Sequence, residues 1–320
     1  MPDSRPAQQL RKVLFLGLDL GGQHIKMGFG TGDAVLEWKG QRSSAAAQGR
    51  AEILDSLCQG VEEGQKAAAE RGGTLHGIGV GTPGVVEAGS GRVRYDVSNL
   101  PEWGGVDLPR LFQERFQLPT WVENDANLAA FGEARWGAAR DLDPMVLVTV
   151  GTGIGGGAVL DGKLLRGSHG AGMELGHIPL ERNGRRCGCG KRGCLEAHAG
   201  GRALLEIWEE EMEKRSLSLS LSDLMEAANQ DQGVARRVLE EGAEHLGVGL
   251  VAVLHLLNPA CLVIGGGIAD GCPWFVERVE AKLRERALPS ALDPLVVRRA
   301  QFGNWAGVIG AVSLAREQGA

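Results

Sequence analysis

Four residues in one short segment have the types and spacing of a metal shell. His177, Cys187, Cys189 and Cys194 follow the pattern His-x9-Cys-x-Cys-x4-Cys. Three thiolates and an imidazole complete a tetrahedral zinc site with no position left for substrate, so the ion this pattern predicts is structural. Gly184, Gly188, Gly190 and Gly193 let a short loop wrap it. Three reduced, buried cysteines are the plain alternative, and their crowding between 187 and 194 argues against it. Glu174, His177 and Glu196 flank the loop and have the chemistry to hold the ring hydroxyls of a sugar. The ordinary reading of the two glutamates is as surface carboxylates that touch only water.

A second group is Glu123-Asn124-Asp125-Ala126-Asn127, between an extended stretch and a helical one. Asn and Asp are favoured helix N-caps, and local sequence prefers that reading. A carboxylate here could also act as general base, taking the proton of a weakly nucleophilic hydroxyl as it attacks phosphorus. Asp125 is the candidate base and Asn124 a hydrogen-bond donor to substrate. Both readings can hold for neighbouring residues.

Three glycine turns are candidates for phosphate or nucleotide contact. Asp19-Leu20-Gly21-Gly22-Gln23 offers bare backbone amides and an acid able to hold Mg²⁺ through water. Taken alone it reads first as a hairpin turn. Gly151-Thr152-Gly153-Ile154-Gly155-Gly156-Gly157 has five glycines in seven residues, more than a hairpin needs. It matches neither the P-loop nor the dinucleotide fingerprint. Gly265-Gly266-Gly267 suits an adenine or ribose and equally suits close helix–strand packing.

The elements that must position these groups read as two α/β halves. Extended stretches at 13–19, 24–30, 35–40, 75–81 and 120–123 alternate with helical ones at 47–71 and 107–116. A second opening of the same kind follows, with strands at 145–150 and 156–160 and a turn at 161–162. A helical stretch covers 200–257 with a break near 216–221. Strands at 261–264 and 295–298 and helices at 273–286 and 304–317 complete it. This alternation predicts sheets covered by helices, with a domain boundary near residue 122: 1–122, then 123–303, with the helix at about 304–320 packing back on the first.

Glycine is the compositional outlier, at 50 of 320 residues. Hydrophobic residues make up 43% and the net charge is −6, which suits a globular chain and disfavours nucleic acid or an anionic membrane as partner. No apolar run reads as a signal peptide or a bilayer span, so a cytoplasmic location is expected.

Together these motifs resemble the ROK family of sugar kinases and sugar-responsive repressors, over about 13–317. ENDAN at 123–127, GTGIGGG at 151–157 and ELGHIPLERNGRRCGCGKRGCLE at 174–196 carry the likeness, with GTPG at 81–84 and SNLPEW at 98–103. The resemblance implies the duplicated actin/hexokinase/ribonuclease-H-like fold with its active site in the interdomain cleft. It implies an ATP- and Mg²⁺-dependent hexokinase with structural Zn²⁺, active as a homodimer or homotetramer. Asp125 falls on the catalytic base. Asn99, Asn124, Asp125, Glu174, His177 and Glu196 fall on sugar contacts. Asp19, Gly21, Gly22, Gln23, Gly151, Thr152 and Gly153 fall on the phosphate turns; Gly266 and Gly267 are the nucleoside candidates from the third glycine turn itself. His177 would face both zinc and sugar. Glucose is the first expected substrate, with N-acetylglucosamine or N-acetylmannosamine next. Gln23 departs from the family's usual Thr, which leaves room for another donor such as polyphosphate or ADP, or for a sensor without turnover. A repressor with a helix-turn-helix ahead of the sugar-binding part is not expected, because the first strand starts near Val13.

Overall fold

The computed structural model describes residues 12–97, 99–212, 219–231 and 233–319. The first half contains β1 (Lys12–Leu20), β2 (His24–Gly30), β3 (Trp38–Ser43), α1 (Arg50–Glu70), β4 (Gly73–Thr82), α2 (Leu108–Phe116) and β5 (Thr120–Asn124). The second contains α3 (Asp125–Trp136), β6 (Met145–Val150), β7 (Ile154–Leu160), β8 (Lys163–Leu164), α4 (Glu196–Ala199), α5 (Gly201–Glu211), α6 (Leu221–Asn229) and α7 (Gly233–Leu257). It ends with β9 (Cys261–Gly265), α8 (Gly267–Gly271), α9 (Pro273–Arg286), α10 (Pro289–Leu292), β10 (Val296–Arg299) and α11 (Ala306–Gly319).

Two five-stranded sheets result, in the orders β3-β2-β1-β4-β5 and β10-β9-β6-β7-β8. In the first, β1 pairs antiparallel with β2 and parallel with β4. In the second, β6 pairs antiparallel with β7 and parallel with β9. The two sheets therefore share one topology, as a duplicated fold requires. The expected break at 216–221 falls partly outside the described residues, as do Ser98 and the first eleven residues.

β1 shows how sequence sets this architecture. Its residues Leu14 to Leu18 are all buried, as in a central strand covered on both faces. Leu14, Leu16, Leu18 and Leu20 point into one core with Ile53, Leu57 and Val61 of α1. Phe15 points the other way, into a cluster with Val312 and Ala315 of α11. The last helix thus covers the far face of the first sheet. α11 also crosses α3, and a side chain at Gly310 would stand 1.9 Å from the Leu128 carbonyl oxygen, so glycine is what lets the two helices touch. The larger core lies under the second sheet, where Val146, Val148 and Ile264 meet Leu246, Leu250 and Phe275. No helix among the described residues is long and apolar enough to cross a membrane.

Candidate active site

A cleft of about 1260 Å³ opens where the ends of the two sheets face each other. Asp19, Asn99, Asn124, Asp125, Glu174, His177 and Glu196 line it, and so do Gly151, Thr152, Gly153, Gly266 and Gly267. Residues far apart in the chain are therefore gathered on one surface. Gly21, Gly22 and Gln23 are not part of the lining. Gly22 lies against Asn99, and Ser44 holds the turn, its hydroxyl donating to the Gly22 carbonyl at 3.0 Å and its amide to that of Gln23 at 2.9 Å.

Asp125 is the first residue of α3 and Asn124 its cap. The Asn124 Oδ1 accepts from the amides of Ala126 at 2.9 Å and Asn127 at 3.1 Å, and its Nδ2 donates to the Gly84 carbonyl at 3.2 Å. Capping is what Asn124 does in the fold, a contribution of about 1 kcal/mol. It also fixes the backbone that presents Asp125. Burial raises the Asp125 carboxyl above its ordinary value; the Ala126 amide at the helix start opposes the rise and Glu174 adds to it. A carboxylate shifted that way is a stronger proton acceptor.

Asp19 stands on the face of β1 turned toward α11. Burial pushes its carboxyl up from 3.8 to about 7, with the negative charge of Asp125 adding to the rise and Lys26 opposing it. Two partly buried carboxylates beside each other are oxygen ligands of the kind a divalent cation takes; the Lys26 ammonium suits an anion instead.

The glycine turns divide by what a side chain would meet. At Gly266, which has a φ of 92°, it would strike the Val150 backbone at 2.6 Å, so this glycine serves packing as well as the cleft. At Gly151 and Gly267 it would meet only open space. The Gly151 and Thr152 carbonyls accept from the amides of Gly201 and Arg202, each at 2.9 Å, which ties this turn to the start of α5.

The four residues of the metal pattern come together. One ligand atom from each of His177, Cys187, Cys189 and Cys194 lies within 4.8 Å of the others. Cys187 Sγ is 3.7 Å from His177 Nδ1, and Cys189 Sγ is 3.7 Å from Cys194 Sγ. A tetrahedral zinc with bonds of about 2.3 Å sets its sulfurs about 3.8 Å apart, so the loop fits the ion. Burial pushes the Cys187 thiol up to about 12, a proton that a cation would displace. Glu196 joins this loop to the glycine turn: Oε2 accepts from the Ile154 amide at 2.9 Å, and Oε1 lies 3.8 Å from Cys187 Sγ.

Several site residues escaped the sequence reading. Lys26 lines the cleft because β2 pairs it with Asp19. Thr149 lines it from the penultimate position of β6, the place Asp19 holds in β1. Buried Glu123 accepts from the Asn124 amide at 2.9 Å, from Asn127 Nδ2 at 3.0 Å and from Arg166 Nε. It anchors the start of α3 beneath Asp125. The hairpin register gave a usable signal for Lys26, and Glu123 stands inside the 123–127 motif without its anchoring role being marked; nothing local marked Thr149.

Known proteins resemble this chain in sequence and fold. A glucokinase from Thermotoga maritima is 31% identical over 96% of this chain and 98% of its own. A ROK family glucokinase from Streptomyces griseus, solved with glucose and AMPPNP, superposes with a TM-score of 0.83 at 30% identity, over 95% of this chain and 99% of its own. A ROK family transcriptional regulator, a homologue of the E. coli MLC protein, superposes with a TM-score of 0.86 at 26% identity, over 96% of this chain and 78% of its own. The ROK family pattern matches residues 15–318, nearly the whole described chain. With its paired sheets, its cleft and its cysteine loop, this chain belongs to the ROK family.

Proposed function

We propose that this sugar kinase is an ATP-dependent hexokinase that phosphorylates glucose at the 6-hydroxyl. The observation that carries the reading is the meeting of Asp125, Asp19 and the open turn at Gly151 in one cleft, Asp19 from the first sheet and Gly151 from the second. Glucose as the acceptor draws support from the glucokinases it resembles.

In this reading Asn99, Asn124, Glu174, His177 and Glu196 hold the sugar hydroxyls and aim the reacting one at Asp125. Asp125 takes the hydroxyl proton as the oxygen bonds to the γ-phosphorus, and the bond to the bridging oxygen of ADP breaks on the opposite side. The amides of Gly151–Gly153 and the Lys26 ammonium face the phosphates, and Gly266 and Gly267 the nucleoside. Gly21, Gly22 and Gln23 follow Asp19, and closure of the cleft would bring their amides toward the same phosphates. Asp19 would hold Mg²⁺ through water, and the ion would offset phosphate charge. His177, Cys187, Cys189 and Cys194 would hold zinc, whose part is to fix the loop that carries Glu174 and His177.

We further propose that residues 1–122 and 123–303 move as two units, with α11 riding on the first. A cytoplasmic homodimer or homotetramer completes the proposal, in keeping with ATP as donor and with exposed Val248 and Leu256 on α7. The test is phosphoryl transfer from ATP·Mg²⁺ to glucose, mannose, fructose, N-acetylglucosamine and N-acetylmannosamine. Preferred turnover of glucose supports the proposal; preference for an N-acetylated sugar moves it to that substrate. The likeness to the regulator favours a second reading, a sugar sensor without turnover. Sugar binding with silence from every donor, polyphosphate and ADP included, would decide for it.

A further inference from the structure

We infer that Glu181, His198 and His245 form a second site for a divalent transition-metal cation, distinct from the four ligands His177, Cys187, Cys189 and Cys194. One ligand atom from each lies within 4.8 Å of the others. His198, on α4, is 6% exposed, and its Nε2 is buried with no hydrogen-bond partner among the described residues. His245, on α7, has its Nδ1 buried in the same condition. The ring centres are 5.3 Å apart and the planes tilted by 59°, so the rings are not simply stacked. Glu181 Oε2 stands 3.9 Å from His198 Nε2.

Two orphaned ring nitrogens in one place are costly, because each buried polar atom without a partner forfeits about 1–3 kcal/mol. A shared cation relieves both at once. Metal–nitrogen and metal–oxygen bonds near 2.1 Å in tetrahedral geometry set ligand atoms about 3.4 Å apart, so small side-chain adjustments close the shell. The covering loop leaves space: a side chain at Gly184 would lie 2.5 Å from His198 Nε2 and 3.0 Å from Glu181 Oε2. The nearby cation Arg185 is engaged elsewhere, 3.0 Å from Glu210 and 3.8 Å from Glu206.

The ligand set fixes the chemical class. Two imidazoles and one carboxylate suit Zn²⁺, Co²⁺ or Ni²⁺ and not Mg²⁺ or Ca²⁺, which prefer oxygen throughout. A fourth position remains for water. The bound ion would tie the cysteine loop, through Glu181, to α4 and α7. Glu196 begins α4 two residues before His198, so occupancy would stiffen a sugar contact; that consequence rests on the kinase reading, whereas the site does not.

Cobalt separates the two sites by colour. The purified protein is dialysed against excess Co²⁺ and then freed of unbound metal. Two equivalents per chain are expected, one giving thiolate-to-cobalt charge-transfer absorption and the other only the weaker d–d bands of nitrogen and oxygen ligands. His198→Gln and His245→Gln, prepared separately, should each bind the second equivalent at least tenfold more weakly and keep the charge-transfer band. One equivalent in the unaltered protein would overturn the inference. So would a second equivalent held with unchanged affinity in either variant. If buried His198→Gln does not fold, half-buried His245→Gln and the unaltered stoichiometry still decide.

Discussion

Asp19→Asn should stabilise the empty protein while ending its use of ATP. The Asp19 carboxyl is raised from 3.8 to about 7, by burial first and then by Asp125. Between those values the unfolded chain releases this proton and the folded chain keeps it. Stability must therefore fall as pH rises through that window and level off above it. The shift sets a ceiling of about 4 kcal/mol on the loss, and partial exposure with solvent screening reduces it to about 2 kcal/mol. The asparagine variant has no charge to ionise and escapes the loss. Reversible urea unfolding of both proteins, without nucleotide, at about pH 4 and about pH 8 measures the difference. The variant's relative stability should grow by about 2 kcal/mol between the two conditions. Adding Mg²⁺ with a non-hydrolysable ATP analogue should then stabilise the unaltered protein at the higher pH and leave the variant unmoved. A stability gap that is the same at both pH values, or that shrinks as pH rises, would refute the reasoning.

Removing zinc with a chelator, or making Cys189→Ser, should weaken glucose binding by tenfold or more, because the loop presents Glu174 and His177; calorimetry of glucose binding checks it. Glucose affinity unchanged in metal-free protein would show that the loop stands without its ion. Gly267→Ala should raise the KM for ATP several-fold and leave thermal stability within about 0.5 kcal/mol, since its side chain would meet only the open cleft. A stability loss without a KM change would assign that glycine to packing instead.

What the sequence disclosed follows from how local each feature is. β2, β6 and α9 were placed to the residue, because each is an apolar-patterned run closed by glycine, proline or an acid. The cysteine loop was legible from spacing alone, since its four ligands lie within one short segment. Asn124 was legible as a cap for the same reason. Lys26, Thr149 and the Glu123–Arg166 pair were not, because each gains its meaning from a partner across a strand or a loop. The glycine-rich run serves two ends: Gly151 faces the open cleft, whereas Gly157, in β7, lies under α3, where a side chain would meet Ala130 Cβ at 2.7 Å. Packing and ligand approach ask for the same residue type, and only coordinates separate them. Glu181 and His198 lie near each other in the chain, but His245 comes from a distant helix, so the three carry no spacing signature.

The central claim is that Asp125 removes the proton of the hydroxyl that attacks ATP. Glucose affinity and turnover measured together on Asp125→Asn test it most directly. The amide keeps the shape and one hydrogen-bond-accepting oxygen but cannot take up the proton, so turnover should fall by about 10² to 10⁴ while glucose still binds within a few-fold of its original affinity. Turnover within tenfold of the unaltered enzyme would contradict the role. Loss of glucose binding with kcat preserved would place Asp125 among the sugar contacts alone.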